Sequence, residues 1–223
     1  MKKIALVAFL MLSQMNFAQK TTKNLGDFDQ VKVFDRISAQ LVSGNENKIE
    51  ISGSRKDDVE IVNKNGELKV RMKLGKLLKG DDITVTIYFK NEINTVEASE
   101  GSYVSSEATF KAIDFSVNSK EGAEIKLNLD TKKLKVKASS GGIVNVKGKA
   151  TNQDIVINSG GIVKAKDLET SQTTVAVNAG GEADVNASDL VDAKTRAGGN
   201  ITVYGNPAQV NKKNVIGGNI VIK

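Results

Sequence analysis

From residue 90 onward, apolar and polar residues alternate in short stretches, and the stretches recur at a nearly fixed interval. The first glycine of a Gly-Gly or Gly-small pair falls at Gly101, Gly122, Gly141, Gly160, Gly180, Gly198 and Gly217, in steps of 21, 19, 19, 20, 18 and 19 residues. Three residues after it stand Val104, Ile125, Val144, Val163, Ala183, Ile201 and Ile220, all apolar. Five after it come Ser106, Leu127, Val146, Ala165, Val185, Val203 and Ile222; five before it come Val96, Val117, Val136, Ile155, Val175, Ala193 and Lys212. Only Ser106 and Lys212, at the two ends of the array, break the pattern. The positions between are mostly polar, as at Glu124, Lys126, Asn145, Lys164, Asp184 and Thr202.

A period of two within each arm means strand. A unit that cannot bury its apolar face alone must stack on copies of itself. The pattern therefore predicts an all-β fold, a parallel β-helix (β-solenoid) of about 19–20 residues per coil over residues 91–223. Each unit reads as a strand of about five residues, a glycine corner, a second strand, and a short polar connection. Gly148-Lys149-Ala150-Thr151-Asn152 and Asp167-Leu168-Glu169-Thr170-Ser171 are examples of that connection. Glycine suits the corners because positive φ costs it little and because stacked corners crowd. The glycines are not calcium ligand loops, since Gly160-Gly161 runs into Ile162-Val163-Lys164 with no acidic ligand in place.

Residues 27–90 keep the strand character without the period, as an irregular N-terminal β region. Strands are expected at Val31–Phe34, Ile37–Val42, Lys48–Ile51, Val59–Val62, Leu68–Met72 and Ile83–Phe89, with an Asn65-Gly66 hairpin turn. Leu74–Lys79 reads as a loop or a turn of helix. The region is either a set of irregular first coils or a small antiparallel cap; residues 27–223 are expected to form one continuous domain.

Ahead of it, Lys2-Lys3, the apolar run Ile4–Leu12 and a close at Ala18 read as a signal peptide, residues 1–18, too short to span a bilayer. Cleavage there leaves residues 19–26 as a flexible mature start and lowers the net charge from +6 to +4. The expected location is therefore exported: periplasmic, cell-surface or secreted. No transmembrane helix is expected. Absence of cysteine means that no disulfide supports the exported fold.

The chain has no His and no Cys, which removes the commonest general base, the commonest metal ligand and all thiol chemistry. No cofactor and no catalytic residue is assigned. The enzymatic alternative is a polysaccharide-active β-helix, a glycosidase or lyase, using outward carboxylate pairs such as Glu182 with Asp184 or Asp189 with Asp192. Nucleic acid is not an expected partner, because the lysines alternate with acids and stacking aromatics are scarce. Some outward slots are apolar: Ile143 and Ile162 on adjacent coils, Tyr103 further up the same row, and Val156 with Ala176 on another. These five are the candidate interface, for a second copy of the chain, a cell-surface protein or a polysaccharide; a covering loop would explain Ile143 and Ile162 equally well.

Several segments together resemble a known family, the head GIN domain auto-transporter adhesins common in Bacteroidetes. The carriers are Phe28-Asp29-Gln30-Val31-Lys32-Val33, Ala39-Gln40-Leu41-Val42-Ser43-Gly44, Lys48-Ile49-Glu50-Ile51-Ser52-Gly53, Asn65-Gly66-Glu67-Leu68-Lys69-Val70, Ile83-Thr84-Val85-Thr86-Ile87-Tyr88 and Ile93-Asn94-Thr95-Val96-Glu97-Ala98-Ser99-Glu100-Gly101. Their order, followed by the glycine repeat, carries the likeness over residues 27–223. Relatives often have Pro after the Ile-Thr-Val strand, where this chain has Phe89-Lys90-Asn91. The resemblance implies an exported β-helical protein of the cell surface or periplasm with an adhesive role.

Overall fold

The computed structural model describes residues 20–223. The expected leader, residues 1–18, lies outside the described residues. The first strands are β1 (Thr21–Asn24), β2 (Gln30–Val33), β3 (Ser38–Ser43), β4 (Lys48–Ser52), β5 (Val59–Lys64), β6 (Glu67–Met72), β7 (Thr84–Phe89) and β8 (Thr95–Ala98). Long runs follow: β9 (Tyr103–Lys120), β10 (Glu124–Ser139), β11 (Ile143–Asn158), β12 (Ile162–Asn178) and β13 (Glu182–Arg196). The chain ends in β14 (Asn200–Tyr204), β15 (Gln209–Val215) and β16 (Asn219–Ile222).

All sixteen strands share one ladder system, and from β9 onward every pairing is parallel. The +3 slot forms a single vertical file: Val104, Ile125, Val144, Val163, Ala183, Ile201 and Ile220 are register partners in turn. The file continues past the repeat through Ala39, Val85 and Ile51, and every member is at most 7% exposed. Burial of these aliphatic stacks is what holds neighbouring coils together, since each coil touches little beyond the next. Ser106 is tolerated in its inward slot because its hydroxyl donates to the Leu41 carbonyl at 2.7 Å. Phe89, Phe110 and Phe115, with ring centroids 5.4 and 5.5 Å apart, fill the wider coils where irregular and regular regions join.

The corners are two-residue turns. In Ser139–Gly142 the Gly142 N–H donates to the Ser139 carbonyl at 2.9 Å, and Ser140 (φ 50°) and Gly141 (φ 74°) are both left-handed. Corners also bond to one another, as in Gly122 N–H to Ser140 O at 3.0 Å and Gly141 N–H to Ser159 O at 3.3 Å.

Residues 27–90 turn out to be both coils and cap. β2–β3 and β6–β7 are true coils, with β2 parallel to β6 and β8, and β3 parallel to β7 and β9. Antiparallel β4, paired with β7, and β5, joined to β6 by the Asn65-Gly66 turn, then close that end. One expectation needs correction. The supposed polar connections 148–152 and 167–171 lie inside β11 and β12, because the parallel ladder runs on through the second bend and Ala150, Leu168 and Thr170 point inward there. Near the start of the described residues, β1 covers the free edge of β4 by antiparallel pairing of Thr21 with Ile51 through Asn24 with Lys48. Among the described residues no helix is long and apolar enough to cross a membrane.

Candidate functional site

At the second bend the coils leave a longitudinal groove of about 540 Å³, running across β10, β11, β12 and β13 to Gly205. Its rungs are in register: Asp130 beside Lys149, Lys149 beside Glu169, Glu169 beside Asn186. The signs alternate along the column, and Lys149 lies 3.5 Å from Asp130. Next to this row stand Lys132, Thr151, Ser171 and Ser188. The groove thus presents hydroxyls, an amide and balanced charges, repeated at the strand spacing of roughly 4.8 Å. Its floor is Thr131, Ala150 and Thr170, and no aromatic ring lines it.

Behind the floor lies a polar pocket inside the core. Thr170 Oγ1 donates to the Asn186 carbonyl at 2.7 Å and lies 2.8 Å from Thr173 Oγ1, which in turn donates to Gln153 Oε1 at 3.3 Å. Thr131 Oγ1 and Gln153 Nε2 are buried with no protein partner. Unpaired buried polar atoms are uncommon, and Thr131 is part of the groove floor.

A second cluster is acidic. Asp35, 1% exposed, accepts the Met72 N–H at 2.9 Å and the Leu78 N–H at 2.8 Å with its carboxylate. Burial, then the charge of neighbouring Asp35, hold the Glu100 carboxyl above its usual range. The cluster lies on the row of corners, away from the groove. Elsewhere the charges neutralise one another: Lys32 bridges Glu67 at 2.6 Å and Glu97 at 3.8 Å, and Lys120 meets Glu97 at 3.0 Å. The Glu67 bond is the main reason the Lys32 ammonium is held above its usual range. Among the described residues no group of three or more His, Cys, Asp or Glu could hold a metal ion.

The structure separates the residues singled out from sequence. Ile143 and Ile162 are adjacent and half-buried in one row, but Glu124 stands between Tyr103 and Ile143, and Glu182 follows Ile162. Val156 and Ala176 are neighbours in a different row, flanked by Lys137 and Lys194. The five therefore form two small patches of two residues each, with Tyr103 apart from both. Glu182 and Asp184 share the outward side of β13, and Asp189 accepts from Ser188 at 2.6 Å; none of Glu182, Asp184, Asp189 and Asp192 lines the groove. Sequence reasoning missed the groove, although its signal was there: a hydroxyl recurs at Thr151, Ser171 and Ser188 at about the coil period.

Comparison with solved structures finds the same fold. A "putative adhesin" from Bacteroides fragilis aligns with a TM-score of 0.84 at 18% identity, covering 92% of this chain and 96% of that one. A "putative adhesin" from Parabacteroides distasonis gives 0.73 at 21% identity, with the same coverages. A "putative lipid binding protein" from Parabacteroides distasonis gives 0.68 at 16%, again covering 92% and 96%. A search of curated proteins returns no match. Residues 27–207 match the family described as "Putative auto-transporter adhesin, head GIN domain". With the match spanning most of the chain and the glycine-cornered column behind it, the protein belongs to the head GIN domain family.

Proposed function

We propose that the protein is an exported, non-catalytic binding module of the cell envelope that holds an extended polysaccharide along the groove at the second bend. The carrying observation is the groove itself: hydrogen-bonding side chains and alternating charges repeat rung by rung, at a spacing comparable to one sugar ring. A polymer lying along the column meets similar groups at each coil, so weak contacts add up over its length. Alternating signs favour a neutral or zwitterionic chain over a strongly charged one. The adhesin names of the family and of its structural relatives support a binding role. Glu100, whose carboxyl burial and neighbouring Asp35 hold above its usual range, lies on the row of corners, away from the groove.

The test is retention of the purified chain on immobilised neutral, acidic and basic polysaccharides. Thr151→Arg with Ser171→Arg, at an exposed and a half-buried position lining the groove, should obstruct it and weaken retention on the preferred polymer by roughly tenfold. Retention unchanged in the double variant would remove the groove from the reading. Shortening of the polymer during incubation would turn it toward the glycosidase or lyase alternative.

A further inference from the structure

We propose that the loop at residues 73–80, with Leu74, Leu77 and Leu78 exposed among Lys73, Lys76 and Lys79 on a corner clamped by Asp35, docks the protein onto an anionic lipid surface. The proposal is independent of the groove.

The loop sits where the other coils turn in two residues. In the coil stacked directly on it, β2–β3, the corner is made by Asp35 and Arg36, both left-handed. Between β6 and β7 the chain instead runs Lys73-Leu74-Gly75-Lys76-Leu77-Leu78-Lys79-Gly80, far more than turning requires. All of residues 73–79 are exposed: Leu74 is 92% exposed, Leu77 51% and Leu78 45%. Three of the eight large hydrophobic side chains left exposed among the described residues thus crowd into five positions, and none of them serves the core. Exposed aliphatic side chains gathered at one tip mark an interaction site.

The charges indicate which kind. From Arg71 to Gly80 there are four basic residues and no acid. The acids nearest in sequence are engaged, Glu67 with Lys32 at 2.6 Å, Asp81 with Arg36 at 3.4 Å and Asp82 with Ser54, as is Glu60, the cross-strand partner of Arg71, at 2.7 Å. Asp57 and Asp58 border the loop, and their backbone carbonyls accept from Lys73 Nζ at 2.6 Å and Lys73 N–H at 2.8 Å. Aliphatic side chains interleaved with lysines match an anionic bilayer, where the leucines enter the headgroup–acyl boundary while the ammonium groups meet phosphates. Neither signal alone anchors stably; the two together do. The hollow at the base of the loop, about 230 Å³ and lined by Glu60, Arg71, Met72, Lys73, Leu74 and Leu77, is too small to seat a folded partner.

The loop is also built in advance. The Asp35 carboxylate accepts N–H groups from Met72 and Leu78, on either side of the loop tip, and the Asp35 carbonyl accepts the Gly80 N–H at 3.0 Å. A Cβ at Gly80 would strike that carbonyl, so the return path admits only glycine. Leu78 is held at φ 59°, a conformation that leucine seldom adopts unaided. A loop fixed before contact loses little freedom on binding.

The test is co-sedimentation of the chain with vesicles of phosphatidylcholine and phosphatidylglycerol in equal parts, against phosphatidylcholine alone. Binding should be at least roughly tenfold stronger to the anionic vesicles and fall with added salt. Leu74→Ser with Leu77→Ser should weaken it by roughly tenfold or more, and Lys76→Glu with Lys79→Glu at least as much. Because these side chains are exposed, both variants should unfold at the wild-type denaturant midpoint. Equal partition of wild type on the two vesicles, or unchanged binding by the serine variant, would overturn the proposal. So would a serine variant that dissociates an oligomer in sedimentation yet still binds vesicles, which would assign the leucines to a second copy.

Discussion

At Gly141 the backbone lies at φ 74° and no atom stands within 4 Å of where a Cβ would be; at Gly142 a Cβ would run into the Ser119 carbonyl of the preceding coil. The first glycine is a matter of dihedral angle and the second one of space. The same division recurs at Gly160 with Gly161, whereas Gly181, after Gly180, is both crowded and left-handed at φ 112°. Gly141→Ala should therefore cost about 1 kcal/mol, the usual penalty for a left-handed residue with a Cβ. Gly142→Ala should cost roughly 3 kcal/mol, because two coils must move apart. Denaturant midpoints of the two variants check this, and equal losses would show that the corners can shift as a unit. Neighbouring Ser140 shows that a side chain can bear the same backbone, at φ 50°.

At the scale of the element, the coil that contains Gln153 departs from its neighbours. Its inward file reads Phe115, Leu134, Gln153, Thr173 and Val191 from coil to coil, with a polar step in an apolar column. Gln153→Leu should leave stability unchanged or raise it by about 1 kcal/mol, since an unpartnered amide nitrogen leaves the core. The Thr173 hydroxyl can then donate to Thr170 Oγ1, already 2.8 Å away. A loss of similar size in thermal or chemical unfolding would mean that an internal water satisfies Gln153 and Thr131. This file also marks where the sequence stops being legible. Val144 and Val163 announce themselves because their neighbours alternate and their glycines keep time. At the second bend, Ala150, Gln153 and Thr170 sit inward with small or polar side chains, so the stretch reads as a connection. The groove beside it was hidden for the same reason. β1 was illegible for a different one: Thr21–Asn24 has no buried face, and only the free edge of β4, distant in sequence, gives it a partner. The Leu74–Lys79 segment could be read as a loop, but its exposure and its Asp35 clamp belong to three dimensions.

Over the whole molecule, the two ends of the column are unlike. The N-terminal end is closed by antiparallel β1, β4 and β5, whereas β15 and β16 each pair on one side only, with β13 and β14. Ile216, Val221 and Ile222 remain exposed at that open end. If the loop at 73–80 rests on a lipid surface, it does so near the closed end, and the coils carrying the groove lie further along the stack. Tension between a tethered surface and a captured polymer would then load the rungs in series. Because each rung is gripped only by the ones next to it, the weakest junction between the loop and the groove should let go first, and the rest should follow singly. Each release would pay out one turn of 19 residues, roughly 60 Å of slack. A single-molecule pull should trace a sawtooth of near-equal teeth, and one all-at-once rupture would contradict it; such a tether yields by lengthening before it breaks.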